Sequence, residues 1–169
     1  MLGVDLVIPD FTYVTENASK IRGIVITHGH EDHIGGLAYL LKQVNIPVYG
    51  TRLTIGLIEG KLKEHGILKQ CSLNVANPGD HIKLGCFDVE LIHVNHSIPD
   101  AVALAIKSPA GTVIQTGDFK IDTTPIDGGV IDIARLSQLG TEGVLALLSD
   151  STNAAKPGFT ESERKVGET

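Results

Sequence analysis

Four side chains of metal-ligand type crowd into six residues of this chain, in the run Thr27-His28-Gly29-His30-Glu31-Asp32-His33. The run directly follows an apolar stretch of strand length at 21–26 and directly precedes an amphipathic stretch that starts near Ile34. A helix spreads its side chains around an axis and a strand alternates them between faces. Neither lets His28, His30, Asp32 and His33 converge on one point, so the sequence predicts a loop leaving a strand end. Gly29, Gly35 and Gly36 give that loop room for turns and close packing that a Cβ would block. Imidazole nitrogen and carboxylate oxygen suit zinc at about 2.0–2.2 Å, and Asp32 beside His33 can serve a second ion next to the first. Histidines that merely cap the following helix would produce a shorter match, without this strand-to-helix setting.

Apolar runs of strand length recur at 21–27, 48–49, 86–94, 101–106, 112–116 and 143–149. Helical patterns lie between them at 34–44, at 52–65 with Leu53, Leu57, Ile58 and Leu62 on one stripe, and at 131–139. Single strands separated by helices, then strands joined by turns, predict an α+β fold with a mixed sheet layered against helices. Two further ligand types sit at strand ends: His96 after 86–94, and Asp118 after 112–116. Taken singly, each reads as a turn residue or helix cap. Their weight comes from joining the first cluster.

The chain has 169 residues, 42% of them apolar, enough for one core. Its formal net charge of −6 has the wrong sign for holding a polyanion unaided, although two divalent ions would reverse the field locally. No apolar run approaches the roughly 20 residues of a membrane span, no secretory signal is legible, and two cysteines build no disulfide framework. A cytoplasmic protein with no membrane partner is expected. Cys71 and Cys86 read as small buried apolar residues, His65 as a helix C-terminal cation, His81 as the residue after the turn at 77–80, His93 as a core or hydrogen-bonding residue, and Lys120 as solvated, with phosphate contact the alternative.

The string His28-x-His30-x-Asp32-His33, then 95–100 (Asn-His-Ser-Ile-Pro-Asp), then 116–120 (Thr-Gly-Asp-Phe-Lys) resembles the successive metal-binding motifs of the metallo-β-lactamase superfamily. The words at 2–10, 22–24, 148–153 and 157–160 narrow the resemblance to the ribonuclease J family in the β-CASP nuclease branch, over almost the whole chain. The resemblance implies an αββα sandwich that lacks its first strands and the inserted β-CASP domain. Residues 1–152 would form a partial metallo-β-lactamase domain, and 153–169 a polar segment leading toward the missing one. It also implies two zinc ions, with His28, His30 and His96 on one, Asp32 and His33 on the other, and Asp118 bridging. Asp32, His33 and Asp118 would then be the catalytic set, in a centre that activates water for hydrolysis of RNA, exonucleolytic, endonucleolytic or both.

The family's first acidic motif has no counterpart here, and Asp5 and Asp10 do not replace it. The lost strands are expected to leave an open sheet edge or an exposed apolar patch near the amino terminus, and the chain alone to be a poor nuclease. The complete protein is expected to be a homo-oligomer. Two other readings keep the metal site: hydrolysis of a small thioester or lactone, and a non-catalytic metal-binding or assembly segment.

Overall fold

The structure, a computed structural model, describes residue 3 and residues 6–126, 129–160 and 162–168. A short helix α1 (Thr12–Glu16) leads to strand β1 (Ile24–Val25), the one-turn helix α2 (Glu31–Ile34), helix α3 (Leu37–Leu41) and strand β2 (Val48–Gly50). Helix α4 (Arg52–Glu64) then connects to β3 (Leu73–Val75). These three strands form a parallel sheet in the order β1-β2-β3, and each parallel step is made through helices because parallel neighbours need a crossover.

The second sheet holds β4 (His81–Leu84), β5 (Phe87–His93), β6 (Val102–Ser108), β7 (Gly111–Gln115) and β8 (Ala146–Leu148), in that order. It is antiparallel until β7 and β8, which run parallel across helix α5 (Ile133–Glu142). Three apolar layers define the stacking. Ile34, Leu37, Val48, Ile58 and Leu62 pack α3 and α4 against the first sheet; Ile82, Leu84, Leu91, Val102 and Leu104 lie with Val25 and Tyr49 between the sheets; Ile92, Ala103, Ile114 and Leu139 pack α5 on the outside of the second. Strand β5 shows the cause, since Val89 and Leu91 face the other sheet while Ile92 turns to α5. The result is the expected αββα sandwich.

Several local expectations change. The helix anticipated at 34–44 is two pieces broken at Gly35 and Gly36. A Cβ on Gly35 would lie 2.6 Å from the Glu31 carbonyl oxygen, and one on Gly36 would press on Phe11 at 3.3 Å. Helix α2 also begins at Glu31, so Asp32 and His33 stand on its single turn and not on an open loop. On α4, Leu53 and Leu57 are exposed while Thr54, Ile55, Ile58 and Leu62 are buried, which rotates the apolar stripe. Cys86 is exposed in the β4–β5 turn and Cys71 is half-buried, so neither is a core residue. His81 stands on β4 with its ring against Asp88, at 3.0 Å. Lys120 is largely buried, ion-paired with Glu163 and Asp122, and not solvated. Through those contacts the polar segment after 153 folds back, Ser162 and the Glu163 N–H both bonding Asp122 Oδ2.

Leu6 and Val7 are exposed, and β8 is an exposed sheet edge carrying Leu147 and Leu148, with Leu145 beside it. No helix among the described residues is long and apolar enough to cross a membrane.

Candidate metal centre

The carboxyl-terminal ends of β1, β5, β7 and β8 share one edge of the sandwich. The Val102 N–H donates to the Thr27 carbonyl at 2.9 Å, tying the end of β1 to the start of β6, whose neighbours β5 and β7 finish on that same side. Each strand end releases a loop there, so residues far apart in the chain meet. The rings of His28 and His30 lie 4.9 Å apart, those of His28 and His33 4.0 Å, and those of His30 and His96 4.7 Å. His96 Nε2 is 3.0 Å from His30 Nδ1. Asp118 Oδ2 faces three rings, at 3.8 Å from His28 Nε2, 3.4 Å from His33 Nε2 and 3.7 Å from His96 Nε2.

Two overlapping ligand groups result, His28 with His30 and His96, and His28 with His33 and Asp118, the ligand atoms of each lying within 4.8 Å of one another. Asp32 is less tightly placed. Its carboxylate reaches to 3.6 Å from His33 Nε2 but is mostly exposed and belongs to neither group. The structure therefore brings together His28, His30, His33, His96 and Asp118, and leaves Asp32 on the rim. Asp10 lies elsewhere, accepting the Thr12 N–H at the start of α1. Asp5 falls outside the described residues.

The donor set fits a metal. His28 is fully buried, its Nδ1 hydrogen-bonded to Thr27 Oγ1 at 3.1 Å, and its Nε2 has no partner among the described residues. A buried unpaired nitrogen costs about 1–3 kcal/mol, which coordination would remove. Burial, followed by the neighbouring His33 and His96, pushes the His28 pKa down to about 4. Burial also lowers His96. Both rings are thus neutral at pH 7, the state in which imidazole donates to a metal.

The loops are held from outside. Gly117 adopts φ +58, and a Cβ there would approach Thr27 Cβ and the Val102 carbonyl oxygen, both at 3.0 Å. Gly117→Ala is therefore expected to destabilise the chain by roughly 1–3 kcal/mol and to displace Asp118, read as a lower melting temperature with weaker metal binding. Asn95, buried, accepts the Ile131 N–H at 2.8 Å and donates to the Gly129 carbonyl at 3.0 Å, while its own carbonyl takes the Lys120 N–H at 2.8 Å. It joins the loop of His96 to the loop of Asp118. His93 Nε2 bonds the same Gly129 carbonyl at 2.8 Å, the hydrogen-bonding duty expected of it. At the far end of the His96 loop, Asp100 has φ +64, a conformation that costs an L-residue about 1–2 kcal/mol.

Asp150 was not singled out from sequence, although it follows β8 as Asp118 follows β7. The two carboxylates line one cleft with Thr27, His33 and Ser149. Hydrogen bonds from the Thr152 hydroxyl and N–H, then from the Phe119 N–H, hold the Asp150 carboxyl below the usual carboxylate range. The strand-end rule that found Asp118 could have found it.

Two stacked sheets, outer helices and a histidine–aspartate cluster at a sheet edge define an αββα domain with a candidate metal centre. The family model described as metallo-beta-lactamase superfamily matches residues 7–152, and the chain belongs to that superfamily. It is 53% identical over 168 residues to the ribonuclease J of Synechocystis sp., covering 98% of this chain and 26% of that protein. It is 49% identical to ribonuclease J of Thermus thermophilus and 44% identical to ribonuclease J2 of Bacillus subtilis, covering 98% of this chain and 30% of each relative. The chain thus spans less than a third of these relatives' length. A crystal structure of a protein of unknown function from Enterococcus faecalis V583 shares the fold, with a TM-score of 0.61 at 18% identity, over 86% of this chain and 37% of that one.

Proposed function

We propose that this chain carries the metal site of a zinc-dependent ribonuclease that hydrolyses RNA phosphodiester bonds as a 5′-3′ exonuclease, an endonuclease or both, in RNA maturation and decay. The observation that carries the reading is the meeting of His28, His30, His33, His96 and Asp118 at one sheet edge, in a chain similar over nearly its whole length to proteins named ribonuclease J. His28, His30 and His96 would hold one ion, Asp32 and His33 the other, and Asp118 would face both. Bound divalent ions supply Lewis acidity and an activated water at neutral pH. The chain's own residues do the rest. Thr27 orients the His28 ring, neutral histidines keep their lone pairs available, and Asp118 and Asp150 give the cleft the negative charge that would draw divalent ions into it.

The net charge of −6 means that the grip on RNA comes mainly from elsewhere in the protein. Residues 1–152 belong to the metallo-β-lactamase domain in this proposal, and 153–169 lead toward a β-CASP domain. The working form is a cytoplasmic homo-oligomer.

The test is turnover of 5′-monophosphorylated RNA and of a generic thioester by the full-length protein, before and after chelation, with zinc content measured in parallel. Loss of RNA hydrolysis on chelation, its return with zinc and an untouched thioester are expected. Thioester turnover without RNA turnover would move the site to small-ester chemistry. Zinc binding without either activity would leave a non-catalytic metal segment.

A further inference from the structure

We propose that Asp100 is a positioning residue, which sets His96 in the metal centre by latching the 95–100 loop to the start of α4. The inference rests on the metal reading above. Among the described residues Asp100 is the one non-glycine residue with positive φ, at 64°. Such a conformation persists where surrounding bonds over-determine it. Here two do. The Leu53 N–H donates to Asp100 Oδ2 at 3.2 Å, and the Thr51 hydroxyl donates to the Asp100 carbonyl at 2.9 Å. Thr51 stands at the N-cap of α4 without making a side-chain cap of its own, so the cap comes from a residue 47 positions away.

The latch matters because α4 is a shared reference for both ligand loops. A Cβ on Gly29, between His28 and His30, would strike Leu57 Cδ1 at 2.5 Å and would meet the Thr54 Cα and Ile98 Cδ1 at 3.6 Å. The first ligand loop therefore lies directly against α4 and against the His96 loop. Fixing Asp100 to the same helix registers His96 Nε2 opposite His30 Nδ1, 3.0 Å away. Asn95 fixes the other end, leaving His96 on a short span held at both ends.

Zinc affinity, measured by chelator competition on the full chain alongside thermal melting, tests the latch. Asp100→Gly relieves the backbone strain but removes the carboxylate. Its melting temperature is expected to stay within about 4 °C of the parent, since the two effects oppose, while zinc affinity falls about tenfold. Asp100→Asn tolerates the left-handed conformation and keeps an acceptor oxygen, so its affinity is expected within about twofold of the parent. Thr51→Val removes the second bond, together with the contact between the Thr51 and Thr54 hydroxyls, at similar bulk and is expected to weaken zinc in the same direction, which keeps the test open if the glycine variant folds poorly. Parent-like affinity in both Asp100→Gly and Thr51→Val, or equal losses in Asp100→Asn and Asp100→Gly, overturns the latch. A parent chain that binds no zinc overturns the metal reading instead.

Discussion

Asp118→Ala is expected to lower RNA hydrolysis by the full-length protein about a thousandfold or more, with the fold intact. One carboxylate oxygen of Asp118 lies within 3.8 Å of three imidazole nitrogens that come from two separate segments of the chain. It is the anionic group common to the surroundings of both proposed ions. Without it, only the exposed Asp32 and the more distant Asp150 offset the two proposed divalent charges, and His28, already disfavoured as a cation by burial, has no carboxylate facing it. The residue is partly exposed at a strand end, so its removal empties little packed volume and leaves the three apolar layers untouched. The measurements are kcat/KM on RNA, zinc content and far-ultraviolet circular dichroism. An alanine variant within tenfold of the parent, or one that retains two tightly held ions, would remove Asp118 from the centre. His30→Ala should fail in the same assay, because His30 belongs to a single ligand group and its loss leaves His96 facing an empty place.

The parts of this centre that were legible in the sequence share one property, that the ligands follow strands whose apolar character is local. His28 follows 21–26, His96 follows 86–94 and Asp118 follows 112–116, so a reading of runs and their ends placed all three. Strands β3 and β4 were not legible, because three or four residues are too few to show a period, and tertiary pairing makes them strands. The break at Gly35 and Gly36 was hidden for a related reason. Pro9 and Phe11, which leave no room for a Cβ at Gly36, come from a segment far off in sequence. Asp100 carries no local mark either, since an aspartate after proline reads as a turn, and its partners Thr51 and Leu53 lie across the fold. Lys120 and Cys86 were misjudged in opposite directions. Burial of a lysine depends on Glu163 and Asp122 closing around it, and exposure of a cysteine depends on its place in a hairpin turn.

Arg135→Ala is expected to destabilise the chain by about 3 kcal/mol at pH 7, lowering its melting temperature by roughly 6–12 °C. Glu90 projects from β5 toward α5, is 5% exposed, and accepts two hydrogen bonds from Arg135, at 2.7 Å from Nε and 2.8 Å from Nη2. Removing the arginine leaves a buried carboxylate against an apolar layer, and the loss of one partner of such a pair usually costs about 3–5 kcal/mol. The lower end applies because the Arg135 side chain is 21% exposed and water can enter where it stood. The pH dependence gives the signature. The hydrogen bonds from Arg135 hold the Glu90 carboxyl below its ordinary 4.5, against the opposing effect of burial. A depressed carboxyl contributes stability that is complete above the unfolded value and is lost as the pH falls through the folded one, so the parent weakens with acid below about 4.5. In Arg135→Ala burial acts without its main opponent, protonation relieves the unpaired charge, and acid costs the variant less. The gap in melting temperature between parent and variant should therefore narrow as the pH falls from 7 toward 4. A gap that stays constant or widens with acid would show that Arg135 supports α5 by packing and not by neutralising Glu90.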